Sequence, residues 1–367
     1  QYDRKLADIF EVQDEITTAI LSSLTEEFVP LDQGSGIPTE SAEAYDALLA
    51  ARYLFNRLKF TESAAAYRTA IDIDPEYADA YVGLALAYQF YVWWGIRPPS
   101  EMLPIVRDNL EKALSLDPEH VGARSSMMLM RFFMDQEHQS SIDGITGLIA
   151  QYPNDVSLLG NYLTMLTAIG EFDQAVALCR KQFAMDPLSP FGHRQLAEQL
   201  YYAGELEEAA SVALQAERLG LGVATLLSMI MLAQQDLEGL GIQLHRDDDA
   251  WGNGLASREL FRFGYEMLSE NYVAAALSWA RLKFLPKHQV PRTQALLNTF
   301  FGNYDTAFDY LEELAVTTDL FVVRNIRGTE LQRATNPDYY THPRYLEILK
   351  LVSLDDQSIA RLRVPTL

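Results

Sequence analysis

The chain has 367 residues, of which 49% are hydrophobic and 22% charged, a composition typical of a folded protein with a packed core rather than of a disordered chain. Its 51 acidic and 29 basic residues give a formal net charge of -22, which argues against nucleic-acid binding, because proteins that bind phosphate backbones need clusters of basic residues. The acidic surface favours solubility, or alternatively a preference for a basic or neutral partner.

The single cysteine, Cys179, excludes an internal disulfide and fits a reducing compartment, so we expect a cytoplasmic protein. No apolar run approaches the roughly 20 residues that a membrane span needs, so no membrane contact is predicted. Because the chain starts at Gln1 and shows no signal-peptide pattern, we expect it to be a fragment of a longer protein.

The first predicted element is an amphipathic helix over residues 1–24, followed by a flexible linker over residues 30–39 that contains Gly34-Ser35-Gly36. The apolar side of the helix carries Ile9, Val12, Ile16, Ile20 and Leu24. An apolar face of this kind is usually covered, so we expect it to dock on the rest of the chain or on a second copy.

Asp-Pro pairs indicate an internal repeat. They occur at Asp74-Pro75, Asp117-Pro118 and Asp186-Pro187, and Tyr152-Pro153 lies between the last two. Successive prolines are 43, 35 and 34 residues apart. A period of about 34 residues is typical of the tetratricopeptide unit, which consists of a helix, a turn and a second helix. Proline at this point ends one helix and fits the first turn of the next.

A second signal lies in the turn within each unit. The sequence that begins Gly170-Glu171-Phe172 recurs from Gly204 and from Gly302, and in weaker form from Glu270. Glycine, or a neighbouring asparagine, can take the left-handed conformation that ends the first helix. An ordinary helical bundle has no reason to repeat both spacings. The resemblance to tetratricopeptide repeats covers about residues 41–315 and implies an all-α superhelix, or solenoid.

The repeat pattern also predicts the core and the boundaries of the array. We expect these side chains to be buried: Tyr81, Leu84, Ala85, Tyr88, Val106, Leu110, Ala113, Leu196, Ala197, Leu200, Ala209 and Ala216. Cys179 falls on a packing position as well, so it is interpreted as a small buried hydrophobe. The predicted divisions are an extra helix and linker over residues 1–40, a first half over 41–235, a break over 236–256, and a second half with its cap over 257–367.

The second unit carries an insertion over residues 90–99, which is predicted to be a loop between helices and contains Trp93, Trp94, Pro98 and Pro99. Its tryptophans either cover the array or form an aromatic anchor for a partner, since interfaces favour Trp and Tyr.

Between Asp236 and Gly254 the repeat pattern weakens, because Gly239, Gly241 and the Gly252-Asn253-Gly254 run interrupt the helix signal. Asp247-Asp248-Asp249 suggests a cation loop, but it lacks the alternating ligands that calcium needs, and a solvated loop is favoured.

The two ends resemble elements of one bacterial regulator family. The string Tyr2-Asp3-Arg4-Lys5-Leu6-Ala7-Asp8-Ile9-Phe10 is similar to the last element of a TolB-like α/β domain that precedes a tetratricopeptide array. Residues 341–349 resemble the terminal capping helix of such proteins. The resemblance implies that either a class III adenylate or guanylate cyclase domain or a winged-helix DNA-binding domain lies upstream. It therefore implies a regulatory role for this chain.

No catalytic chemistry is predicted for this chain. It contains no phosphate-binding glycine loop, no nucleophile elbow, no His-Glu-x-x-His and no Cys-x-x-Cys. The six histidines have no second metal ligand at helical spacing, so no metal and no cofactor are expected.

Stacked helix pairs rotate slightly, so the array should curve and the first helix of each pair should line its concave face. The residues predicted to bind a partner on this face are Gln89, Arg194, Glu198, Tyr201, Tyr202, Arg258, Tyr265 and Arg292. Each of them could also be an ordinary surface residue.

Three functions fit this prediction. The chain could be an interaction module that binds a protein or peptide partner, or forms a homodimer, and so regulates an upstream domain. It could instead be a small-molecule sensor with a pocket lined by Tyr201, Tyr202 and Trp94, or a scaffold that only sets domain spacing.

Overall fold

The computed structural model of the chain describes residues 39–94, 96–246, 255–271, 303–316 and 337–365, together with isolated helical positions between 273 and 299. The predicted N-terminal helix, its linker as far as residue 38, the Asp247-Asp248-Asp249 run, Arg292 and Gly302 lie outside these residues. The described part of the chain is built from helices and contains no strand.

The helices follow one another with short connections. In chain order they are α1 (Ala42–Asn56), α2 (Phe60–Ile73), α3 (Ala78–Trp93), α4 (Pro99–Leu116), α5 (Val121–Met134), α6 (His138–Gln151), α7 (Val156–Ile169), α8 (Phe172–Met185), α9 (Pro190–Tyr202), α10 (Leu206–Arg218), α11 (Ala224–Ala233), α12 (Leu237–Leu244), α13 (Leu255–Leu268), α14 (Tyr304–Val316), α15 (Pro337–Tyr340), α16 (Pro343–Leu351) and α17 (Asp356–Ile359).

From α1 to α12 each helix packs against the next, and the first helices α1, α3, α5 and α7 also contact one another in turn. This arrangement confirms the predicted superhelix of helix pairs, in which each pair buries its apolar stripe against its neighbours. The predicted core is confirmed as well. Buried at 5% exposure or less are Leu84, Ala85, Val106, Leu110, Ala113, Cys179, Leu196, Ala197, Leu200, Ala209 and Ala216, while Tyr81 and Tyr88 are half-buried.

The first helix of a pair ends at a residue with a left-handed backbone conformation, and this residue is not always glycine. Gly170 and Gly204 take φ angles of 84° and 82°. Residues with side chains adopt the same left-handed region at the matching turns, namely Leu58, Gln136, Gln235 and Glu270. Because glycine is the usual residue there, these turns were less visible in the sequence than in the backbone.

The Asp-Pro pairs form the connection from one unit to the next. The Oδ1 atoms of Asp74 and Asp117 each accept the backbone N–H two residues on, at 3.0 Å, and Asp186 accepts that of Leu188 at 3.3 Å. These turns through the Asp side chain explain why aspartate precedes the proline at three of the four junctions.

The prediction of a loop over residues 90–99 was wrong for its first part. Helix α3 continues to Trp93, and α4 begins at Pro99. Phe90, Tyr91 and Val92 are buried at 8%, 8% and 0% exposure, so one more helical turn is stabilised by packing. Residues 90–93 of the insertion therefore belong to α3, and residues 94–98 form the connection to α4.

The predicted break also contains a helix. Asp236 caps α12 by accepting the N–H of Gly239 at 2.9 Å, and Leu240 and Leu244 are buried. Capping and burial offset the low helix propensity of Gly239 and Gly241.

At the other end, α16 corresponds to the predicted cap. It packs against α14, and Tyr345, Ile348 and Leu349 are buried. His342 caps the helix by accepting the N–H of Arg344 at 3.3 Å. The capping helix therefore covers the apolar side of α14.

Close packing of α2 on α3 gives a first testable prediction. A Cβ atom at Gly83 would overlap the ring of Tyr67, which is only 3% exposed, so Gly83→Ala should destabilise the protein by roughly 1–3 kcal/mol. Gly160→Ala in α7, where no atom lies within 4 Å of the new methyl group, should instead stabilise it by about 0.5–1 kcal/mol. Urea unfolding followed by circular dichroism compares the two variants, and an equal effect at both sites would contradict the close approach.

Candidate partner-binding surface

Arg194, Glu198 and Trp94 form one cluster, although they belong to the fifth and second units. Arg194 Nη1 lies 3.3 Å from Glu198 Oε2, and the two side chains are 16% and 12% exposed. The Arg194 guanidinium also lies 5.3 Å from the centre of the Trp94 ring, within the range of a cation–π interaction. The structure therefore brings together two of the predicted partner-binding residues, Arg194 and Glu198, and one tryptophan of the insertion, Trp94.

The fifth unit contacts the first two units directly. The Phe191 ring, at the start of α9, lies 6.2 Å from Phe55 and 6.4 Å from Phe90. Arg57 Nη1 donates to the carbonyl of Gly220 at 3.1 Å, across 163 positions of sequence. These contacts show that the array curves back on itself, so the inner face near Trp94 is partly closed by the protein's own side chains.

Tyr201 and Tyr202 are each only 6% exposed. The Tyr202 ring stacks on Phe172 at 5.9 Å, and the two tyrosine rings meet edge to face at 5.5 Å. Burial raises the pKa of Tyr201 to about 12. Both side chains thus contact the array itself, and their predicted role towards a partner stays a prediction.

Gln89 on α3 is buried at 1% exposure. Several other polar side chains on the first helices form hydrogen bonds between neighbouring units. Asn161 Nδ2 donates to Ser125 Oγ at 3.0 Å, and Thr167 Oγ1 lies 2.8 Å from Gln199 Oε1. These bonds join α5 to α7 and α7 to α9 inside the array. No repeat signal marked them, because their residue types differ from unit to unit.

Arg258 forms hydrogen bonds to backbone carbonyls at the C-terminal end of α12. Its Nη2 atom donates to the carbonyls of Leu244 at 3.2 Å and Arg246 at 2.7 Å, and Arg262 Nη2 donates to Leu244 at 2.9 Å. Guanidinium groups suit this place because the last carbonyls of a helix need donors. Tyr265 is half-buried and packs beside Leu240 and Leu244.

A pair formed by the buried His120 and the half-buried Asp79 links the second and third units. His120 Nδ1 accepts the N–H of Ala123 at 3.3 Å, so Nε2 carries the proton and donates to Asp79 Oδ1 at 2.9 Å. Burial would raise the pKa of Asp79, but the hydrogen bond from His120 and the charge of Arg52 outweigh it, and the pKa is lowered. Arg52 on α1 lies 3.5 Å from Asp79, so the arrangement also links the first unit to this pair.

The C-terminal segment, residues 351–365, returns to the middle of the array. Gln136 Nε2 donates to the carbonyl of Leu351 at 3.0 Å, and Ser353 Oγ lies 2.5 Å from Gln136 Oε1. Farther along, Arg363 N–H donates to Gln139 Oε1 at 2.8 Å, and Gln139 Nε2 lies 3.3 Å from the Arg363 carbonyl.

The last described contact of this segment reaches α7. Tyr162 Oη donates to the carbonyl of Pro365 at 3.0 Å. Leu362 and Val364 pack against the core of the array. The sequence analysis missed this surface, because nothing local in the sequence relates Gln139 to residues more than 200 positions away.

Residues 54–89 match the TPR repeat family. The fold is that of a tetratricopeptide-repeat solenoid. The structure of the human IFIT1 dimer with PPP-AAAA is similar, with a TM-score of 0.54 and 12% identity over 94% of this chain and 75% of that one. The yeast Tom70 structure gives a TM-score of 0.44 and 15% identity over 95% of this chain and 78% of that one.

In sequence the chain is similar to the putative adenylate cyclase 3 of Rhizobium meliloti (strain 1021), with 35% identity over 137 residues. The match covers 34% of this chain and 21% of that protein, so it spans about a fifth of the length of the relative. The TolB-like element falls on residues that the structure does not describe and stays a prediction.

Two further findings concern the described residues only. They contain no group of three or more His, Cys, Asp or Glu side chains that could hold a metal ion. Within the same residues, no helix combines the length and the apolar character that crossing a bilayer requires.

Proposed function

We propose that this chain is a non-catalytic interaction module of a multidomain signalling protein, and that binding of a protein or peptide partner to its tetratricopeptide superhelix controls an upstream cyclase domain. The observation that carries the proposal is the superhelix itself, because stacked helix pairs create an extended surface suited to docking. The similarity to a putative adenylate cyclase over a fifth of its length supports the signalling context.

The cluster of Arg194, Glu198 and Trp94 is the proposed anchor for the partner. Arginine and tryptophan are the residue types most enriched at binding hot spots, and a half-buried ion pair is already partly desolvated.

Charge reversal at Arg194 tests this anchor. Arg194→Glu places a second carboxylate beside Glu198 and removes the cation above Trp94, so affinity for the partner should fall at least about tenfold. The matched control is Arg180→Glu on the second helix α8, where Arg180 is 50% exposed and pairs with Glu205 and Glu208. This control should bind as the wild type does.

The partner is to be isolated with the whole chain as bait, and its affinity measured by titration calorimetry. Circular dichroism verifies that each variant is folded. Equal loss of affinity in both variants, or none in either, would contradict the proposed anchor.

A further inference from the structure

We infer that Gln139 and Tyr162 form a binding site for an extended peptide, and that the chain's own residues 362–365 occupy this site in cis. The ligand class is an extended segment with apolar side chains at alternate positions and basic side chains between them. The inference rests on the proposed function, since it names the kind of partner that the array accepts.

The first argument is the way in which Gln139 holds Arg363. The carboxamide lies against both main-chain groups of one residue, the N–H at 2.8 Å and the carbonyl at 3.3 Å. A side chain that meets both groups recognises extended backbone rather than a particular side chain, as a neighbouring strand would. Any extended segment of suitable shape can therefore make the same pair of contacts.

The second argument is Tyr162. Its side chain is among the largest that are fully buried, at 1% exposure, yet its hydroxyl donates to the Pro365 carbonyl. Burial raises the pKa of this hydroxyl to about 12, so it remains a donor throughout the physiological range. Tyr162 thus fixes the peptide two residues beyond the contact made by Gln139, which sets the direction of the chain.

The third argument is the alternation within the segment. Leu362 and Val364 are half-buried and pack on the core, whereas Arg361 and Arg363 are exposed. This period of two is that of an extended chain with one face on the protein. The exposed arginines also match the acidic character of the chain, which carries 51 acidic residues against 29 basic ones.

Occupation in cis must weaken binding in trans. A site that is open for only a fraction of the time shows an apparent affinity reduced by that fraction. A change that weakens the cis segment without touching the site should therefore strengthen binding of a free peptide.

The test uses the whole chain and a fluorescent peptide with the sequence of residues 360–367, Ala-Arg-Leu-Arg-Val-Pro-Thr-Leu. Arg363→Pro removes from the cis segment the N–H that Gln139 accepts, and it leaves the site intact. The peptide should bind this variant about tenfold more tightly than the wild type, the effect expected for a lost hydrogen bond and its ordering.

Two changes in the site complete the experiment. Adding Gln139→Ala to the Arg363→Pro chain should weaken peptide binding about tenfold. Adding Tyr162→Phe to the same chain, which retains the buried ring, should weaken peptide binding severalfold. Gln151→Ala, on the same helix α6, serves as the matched control and should change nothing, because the Gln151 amide donates to the Gly147 carbonyl of its own helix at 3.2 Å. Hydrogen exchange at the Arg363 amide of an otherwise wild-type chain should accelerate in Gln139→Ala.

Several results would overturn the inference. The first is equal affinity of the wild type and Arg363→Pro for the peptide. The second is a hydrogen-exchange rate of the Arg363 amide that is the same in the wild type and in Gln139→Ala. A wild-type dimer that Gln139→Ala dissolves would show that a second copy supplies the segment and that the cis assignment is wrong. If these tests fail while Arg194→Glu still weakens binding of the partner, the proposed function stands. If these tests succeed while Arg194→Glu has no effect, only the proposed anchor at Arg194 is removed.

Discussion

Phe60→Ala should lower the free energy of unfolding by about 3–5 kcal/mol, the range for removing a large aromatic side chain from a core. Phe60 is fully buried at 0% exposure. Its ring centre lies 4.8 Å from that of Phe90, 5.4 Å from Phe55 and 5.9 Å from Trp94. Truncation therefore leaves a cavity between the first two units. It also removes the ring that packs against Phe55 and Phe90, which contact Phe191 of the fifth unit.

The matched control for this prediction is Tyr53→Ala on α1, because Tyr53 is an aromatic residue that is 61% exposed. Its cation–π contact with Arg57, at 5.7 Å, should be worth only about 0.5–1 kcal/mol. Urea unfolding gives the overall change, and hydrogen exchange shows whether α1 to α4 open first, as nearest-neighbour stability in a repeat array predicts. Comparable losses in Phe60→Ala and Tyr53→Ala would show that the cluster does not stabilise the array.

Acidification from pH 7 to pH 4 should destabilise the protein through His138. The side chain is 7% exposed and lies 4.5 Å from the Phe132 ring, and burial lowers its pKa from 6.5 to about 4 against a smaller opposing effect of a backbone hydrogen bond. Above pH 6.5 the imidazole is neutral in the folded and the unfolded chain. Between pH 6.5 and about 4 only the unfolded chain binds the proton, so stability falls as the pH falls.

The pKa difference corresponds to at most roughly 3 kcal/mol, since one pKa unit is worth about 1.4 kcal/mol. The comparison is with His138→Gln, which cannot titrate and keeps an N–H donor near the Phe132 carbonyl. The carboxylates titrate in both proteins, so the difference between the two curves of unfolding free energy against pH isolates His138. Parallel curves from pH 7 to pH 4 would show that burial does not suppress protonation of this histidine.

Much of the fold could be predicted because its signals are local. The Asp-Pro pairs and the Gly170 and Gly204 turns fix the helix pairs, and the spacing from them fixes buried positions such as Leu110 and Leu200. The helical part of the insertion and the helix within the predicted break were not foreseen, for one shared reason. Helix α3 extends to Trp93 and α12 forms around Gly239 and Gly241 because burial against neighbouring units outweighs local propensity.

The candidate site could be predicted only in part. Positions on first helices pointed to Arg194, Glu198 and Tyr201, but the pattern could not show that Trp94 lies under Arg194 or that Tyr201 is buried. The pairing of Gln139 with Arg363 had no signal in the sequence at all.

By itself, the sequence determined that this chain is an all-α array of tetratricopeptide units, because each unit is specified by residues within about 34 positions of one another. Only the tertiary structure decided which distant units meet and what covers the inner face. Those contacts depend on a small rotation at each junction, and the rotations add up along the array. Their sum brings Phe191 to Phe55 and Pro365 to Tyr162, and no single repeat encodes it.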